Sequence, residues 1–461
     1  MSNYVVDNTF GIKTVNFGTG RDTAYSVVEL SDGFVLSGPV AGTSTDFGSA
    51  KLDKTNGTLV TSFGQNGLIR TGFPGSGTKT DVPVISINSG DNYYVGGSAQ
   101  FGATGTNNLL FAIAKYDKDG VLSTDYGTDA TGQFNGHGLT YVDIEAGGVN
   151  DEIFGMKIDS ENKLVATGFS NPGVIVGAGP AFNFGTARYE PNGEIDKKFG
   201  VNGVVITDFE GNGDDRANDL LIRKNEDIII GGRTKLITST NFNFALVSVD
   251  KDGDINKKFG KKSTDKYPNL STQKGKVINN FGNNDLIIKL LADNTDCNES
   301  NNFKHFYAAG RSGTTQLAFI LVKYDKNGCI DEKFGVDGVL RFNFEETSTD
   351  TLNSAFLDKQ GRIYLVGNSA ITGRNRFAIA RVKTDGKLDE SFGPNSNGKM
   401  VLEFPGITSG FVRDGKMTSC GDIILCGEAL VAGTTTADFI AFKLVLESSS
   451  MFSYVGKLFG Y

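Results

Sequence analysis

The chain has no tryptophan, two histidines, four cysteines and nine prolines in 461 residues. Each scarcity removes a class of protein. The cysteines, Cys297, Cys329, Cys420 and Cys426, make no CxxC pair and no disulfide framework. His137 and His305 are too few for a histidine-rich metal site. With so little proline, the 61 glycines belong to no collagen-like or proline-rich segment. Basic residues number 45 against 53 acidic ones, a net charge of −8 that suits neither non-specific nucleic-acid binding nor an anionic membrane surface. No apolar run approaches the roughly 18 residues of a membrane span. The first residues, Met1 to Asp7, lack the basic and apolar regions of a secretory signal. The expected compartment is therefore cytoplasmic, virion-associated or reached by a non-classical export route. HExxH, GxSxG and P-loop patterns are missing.

What the chain does have is 34 phenylalanines, and they are periodic. Asp/Asn-Gly is followed by Leu or Ile two residues on and by Phe/Tyr-Gly six residues on. The spacing is identical at Gly57/Phe63, Gly120/Tyr126, Gly193/Phe199, Gly253/Phe259, Gly328/Phe334 and Gly386/Phe392. Upstream lies a strand-like run opened by Phe47, Phe111, Phe184, Phe244, Phe319, Phe377 and Phe439. An apolar run closes in Gly38, Gly97, Gly168, Gly232, Gly310, Gly367 and Gly427. Another ends in Phe17, Phe73, Phe209, Phe281, Phe344 and Phe404, with Ile144 in the remaining place. Phe10 to Phe392 is 382 residues over six steps, a mean period near 64. Each unit reads as four short strands separated by glycine turns, the fourth as Val204–Phe209, Asp219–Ile222, Asp227–Ile230 and Phe244–Val249. Seven such units predict an all-β, seven-bladed β-propeller of short antiparallel strands. Residues 1–446 would form it. The segment 9–17 would complete the last unit and hide its edge, and 447–461 would be an apolar tail.

The run from Phe111, Phe-Ala-Ile-Ala-Lys-Tyr-Asp-Lys-Asp-Gly-x-Leu, then Phe/Tyr-Gly, Gly-x-Val and an apolar run ending in Gly, resembles the delta-60 repeat family over nearly all of residues 9–445. The resemblance implies a propeller-like fold and brings no catalytic motif with it. The third and fifth units depart from it by insertion.

Three features are candidate interaction sites. Four residues after the strand-opening Phe stand Lys51, Lys115, Arg188, Lys323, Arg381 and Lys443, with Ser248 the exception. Two residues further, Asp53, Asp117, Glu190, Asp250 and Asp325 share their strand face. A ladder of ion pairs is favoured over a positive ring around the axis. The insertion 256–276 carries Lys257, Lys258, Lys261, Lys262, Lys266, Lys274 and Lys276 against Asp265, a local charge of +6. It reads as a solvated loop before it reads as a contact for an acidic partner. The tail places Met451, Phe452, Tyr454, Leu458, Phe459 and Tyr461 after three serines, either packed on its own propeller or docked into another chain. The Asp250, Asp252, Asp254 series is explained by turn chemistry better than by calcium.

These features lead to the expectation of a non-catalytic structural or protein-interaction module, such as a component of a virion or surface assembly. Its partner would be another protein or a second copy, with no nucleic acid and no cofactor. The repeats look uniform, with no odd polar residue in a core position. The alternatives are a carbohydrate- or calcium-binding propeller and a propeller hydrolase with its site at the channel mouth.

Overall fold

The Phe-opened runs are rich in β-branched and aromatic residues and bounded by glycine turns, a composition that favours short pleated strands. In the computed structural model they are the third strands of seven antiparallel sheets set around one axis, six of four strands and the last completed to five by the N-terminal residues. The structure describes residues 4–447 apart from 75–79, 102–107, 129–134, 146–148, 174, 177–178, 210–212, 237–238, 261–265, 272 and 294–302. The fold is the expected all-β seven-bladed propeller. Among the described residues no helix is long and apolar enough to cross a membrane.

The fourth blade runs from the axis outward as Arg216–Ile222, Ile228–Thr234, Asn243–Val249 and Lys276–Asn279. Sequence unit and blade are thus one strand out of phase. Val204–Thr207, read above as the opening of the fourth unit, is the outer strand of the third blade and pairs with Asn183–Tyr189. The shift has a local cause. The rigidly spaced turn folds each Phe strand back onto the strand that follows it.

The repeated residues build the contacts between and within blades. Six of the seven third-strand Phe pack on the aromatic that ends the outer strand, with ring centroids 4.8 to 5.4 Å apart in pairs such as Phe184–Phe209 and Phe377–Phe404, and Phe111 has Ile144 in that place. The glycine of each Asp/Asn-Gly turn has positive φ, +89° at Gly193 and +87° at Gly253. The preceding carbonyl accepts an N–H from the Phe/Tyr-Gly of the previous blade, as in Gly64 to Asp119 (3.0 Å) and Gly200 to Asp252 (2.7 Å). The invariant spacing is therefore a staple between blades. Six buried aspartates open the axial strands: Asp22, Asp81, Asp151, Asp215, Asp285 and Asp350. Each accepts the N–H of the residue ending the preceding blade's outer strand, at 2.7 to 2.9 Å. The seventh blade has Gly410 at this place.

The N-terminal residues belong to the last sheet. Ile12–Val15 and Tyr4–Val6 both pair antiparallel with Ala437–Leu446. Lys443 forms an ion pair with Asp7 at 2.9 Å, and Asn16 donates to Asp438 at 2.7 Å.

Candidate functional site

The axial strands line the central channel, and six of them carry a β-bulge at the same level. The extra residues are Val84, Phe154, Asn218, Ile288, Asn353 and Arg413. A bulge increases local twist and re-aims a side chain. It also explains the second glycine column. A Cβ on Gly97, Gly168, Gly232, Gly310, Gly367 or Gly427 would lie 1.8 to 2.1 Å from a carbonyl oxygen of the bulged strand, and one on Gly38 would lie 1.8 Å from the Thr23 carbonyl just before the first axial strand. Only glycine admits that carbonyl.

The residue after each of these glycines lies in one layer at the channel mouth, beside the first residue of the axial strand. Cross-strand partners there are Glu152 with Phe169, Arg216 with Arg233, Leu286 with Arg311, and Phe411 with Glu428. This layer is not uniform, so the expectation that no odd polar residue interrupts the repeat is wrong. Arg216, Arg233, Arg311 and Arg413 line one cavity of about 230 Å³ together with Tyr25, Phe154 and Asn218.

The four guanidiniums have different supports. Arg216 is paired with Asp214 at 2.7 Å and stacks on Phe182, 4.0 Å from the ring centroid. Arg413 is held by Glu428, which Arg21 and Thr23 also grip. Arg233 and Arg311 have no carboxylate partner among the described residues, and their buried Nε atoms are unbonded. Burial, reinforced by the nearby Arg216, lowers Arg233 to about 10. Burial and then Arg413 lower Arg311. Packing like charges out of water costs stability, so such an arrangement is expected where an anion is recognised.

Glu152 stands in the same ring as Arg216, one blade away. Burial pushes its carboxyl up to about 7, against the pull of Arg216. It is therefore poised to hold or give up a proton near neutrality. Glu428 goes the other way. Although burial opposes it, the bonds from Arg413, Arg21 and Thr23 keep its carboxyl low and ionised.

The candidates read from the sequence lie elsewhere. The basic column sits in the third strands, away from the axis, so it forms no ring around the channel. Its members are buried in ion pairs: Lys51 with Asp32, Lys115 with Asp125, Arg188 with Asp196, Lys323 with Asp293, Arg381 with Asp389 and Lys443 with Asp7. Lys51, Arg188 and Lys443 also donate to turn carbonyls of the neighbouring blade. The acids two residues on are not these partners. Asp53, Asp117, Asp250 and Asp325 accept N–H groups of their own turns, and for this reason Asp250 bonds Asp252 and Asp254. Lys257 and Lys258 are exposed, and Lys266 pairs with Asp337. Lys261, Lys262 and the tail residues Met451, Phe452, Tyr454, Leu458, Phe459 and Tyr461 lie outside the described residues.

Reading the sequence missed Glu152, Arg216, Arg233 and Arg311. A signal was present, in the residue following each glycine of the second column: Pro39, Ser98, Phe169, Arg233, Arg311, Asn368 and Glu428. Its variability between otherwise regular repeats marks the site.

A family model described as a domain of unknown function (DUF5122) beta-propeller matches residues 361–392. No curated protein matches the chain. Among solved structures, the periplasmic gluconolactonase of Pseudomonas aeruginosa is 9% identical over 88% of this chain and 95% of its own, with a TM-score of 0.44. The polysaccharide lyase Uly1 is 9% identical over 92% and 90%, TM-score 0.43. The GH93 alpha-L-arabinofuranosidase of Fusarium graminearum is 10% identical over 96% and 98%, TM-score 0.42. These likenesses are of fold. The expectation of a non-catalytic structural or interaction module is corrected at the channel mouth, where the repeat is not uniform. That expectation rested on the regularity of the repeats, and the uneven mouth layer removes its basis in this chain.

Proposed function

We propose that the protein is a propeller hydrolase working at the channel mouth on a glycoside, ester or lactone that carries an anionic group. The carrying observation is a half-buried glutamate, Glu152, at the strand position that Arg216 takes one blade on, beside a chain of arginines of which two have no carboxylate partner. In this reading Arg233 and Arg311 bind the substrate's anionic group, and charge-assisted bonds fix its orientation. Arg216 and Arg413, held by Asp214 and Glu428, shape the walls. Glu152, protonated up to about pH 7, donates its proton to the leaving oxygen while water adds to the cleaved centre. The six repeated turn motifs further support placing the blades in the delta-60 repeat family.

The test is turnover on paired panels of acidic and neutral glycosides, esters and lactones. Acidic members should be preferred, and Glu152→Gln should lower kcat by about 10²-fold or more with the melting temperature kept. Absence of turnover on every member, or a fully active Glu152→Gln, would refute the reading.

A further inference from the structure

Below the bulge layer the channel opens into a second cavity of about 300 Å³. Three blades each send one lysine into it: Lys157, Lys289 and Lys416. None of the three has a carboxylate within ion-pair distance among the described residues. The same cavity holds two carboxylates, which leaves the lysines one positive charge in excess, and both accept hydrogen bonds from other groups. Asp414 accepts from Val27 N–H at 3.1 Å, from Ser26 Oγ at 3.2 Å and from Ser354 Oγ at 2.7 Å. Asp219 accepts from Leu290 N–H at 2.9 Å. The lysines are close enough to repel. Burial lowers Lys416; Asp414 opposes this most, and Lys157 and then Lys289 add to the lowering.

Three converging, half-buried ammonium groups destabilise one another unless an anion lies between them. Ammonium groups act as point charges without a planar fork, which suits a compact tetrahedral ion better than a flat carboxylate. At about 30 Å³ per water, the cavity holds such an ion together with several waters. Phosphorylated and sulfated molecules share that chemistry with the free ions.

We propose that this half of the channel, which adjoins the arginine mouth and shares Lys289 and Asp414 with it, is a second binding site for a tetrahedral oxyanion of the phosphate or sulfate class. The proposal does not depend on the hydrolase reading.

The test is calorimetric titration of the full chain carrying Arg233→Met and Arg311→Met, so that the two mouth arginines without a carboxylate partner no longer contribute, with inorganic phosphate and separately with sulfate. Saturable binding at millimolar concentration or tighter is expected. Adding Lys416→Met should weaken it by at least about tenfold. The same substitution should raise the melting temperature in anion-free buffer, because it relieves repulsion. Should that chain fail to fold, Lys157→Gln serves the same comparison. Lack of saturable binding in the double-arginine background, or binding that Lys416→Met leaves unchanged, would overturn the proposal. Failure of the turnover test with retained phosphate binding would remove the hydrolase and leave this site standing.

Discussion

At the scale of single residues, the propeller hides charges that an ordinary core would exclude. Burial holds Asp151 and Asp215 up to about 7, although each accepts backbone N–H bonds that act in the opposite direction. The folded pKa lies above the ordinary 3.8, so between these values the folded chain binds protons that the unfolded chain has released. Their contribution to stability is therefore fully present below pH 3.8 and is lost as pH rises through about 7. Asp151→Asn keeps an acceptor for Ile144 and removes the charge. We expect it to raise the melting temperature by about 2–4 °C at pH 8 and to flatten its dependence between pH 4 and 7. Calorimetric scans across that range check this, and a variant with the parent's pH dependence would refute it. The arginines follow the same logic. Arg311→Met should stabilise the fold, because it removes a buried cation beside Arg413, and should weaken binding of anionic substrate analogues. A lower melting temperature with unchanged analogue affinity would contradict the assignment.

At the scale of the strand and its turn, most of the fold was legible, because the signals are local. The fixed spacing from the turn glycine to Phe/Tyr-Gly reports one local turn, and its repetition from unit to unit reports the staple that joins that turn to the neighbouring blade. The Phe columns report packing within one blade. The bulge was not legible, because its cause is a carbonyl on the neighbouring strand. The glycine it requires looked like an ordinary strand end. Gly232→Ala puts a methyl 2.0 Å from the Arg216 carbonyl. We expect a loss of about 2–4 kcal/mol in chemical denaturation, with weakened function because Arg216 and Arg233 shift together. A neutral substitution would show that the bulge does not dictate this glycine. The phase of unit against blade was misread for a related reason. A strand between two turns can pair with either neighbour, and the tighter turn decides.

At the scale of the whole molecule, closure of the ring creates the site. Arg216, Arg311 and Arg413 come from three different blades and line one cavity of the ring, with Glu152 on the blade before Arg216. Of these only Arg311 follows a glycine of the second column, and the others carry no such mark in the chain. The join is made by Ile12–Val15 against Ala437–Leu446, with Phe17 packed on Phe439 at 5.0 Å. Deleting residues 1–18 should lower the melting temperature sharply and expose a hydrophobic edge that promotes aggregation. An unchanged melting temperature would show that closure lies elsewhere. The same closure gathers cations into the axis of a protein whose net charge is −8. Electrostatic attraction of an anionic substrate should therefore be confined to the channel and weaken with added salt. The most direct test of the account is the rate of hydrolysis of an anionic glycoside or ester against its neutral counterpart, by the parent chain and by Glu152→Gln. The account predicts preference for the anionic substrate and a loss of about 10²-fold or more on substitution, with stability retained. Equal rates on both substrates, or a Glu152→Gln chain as active as the parent, would contradict it.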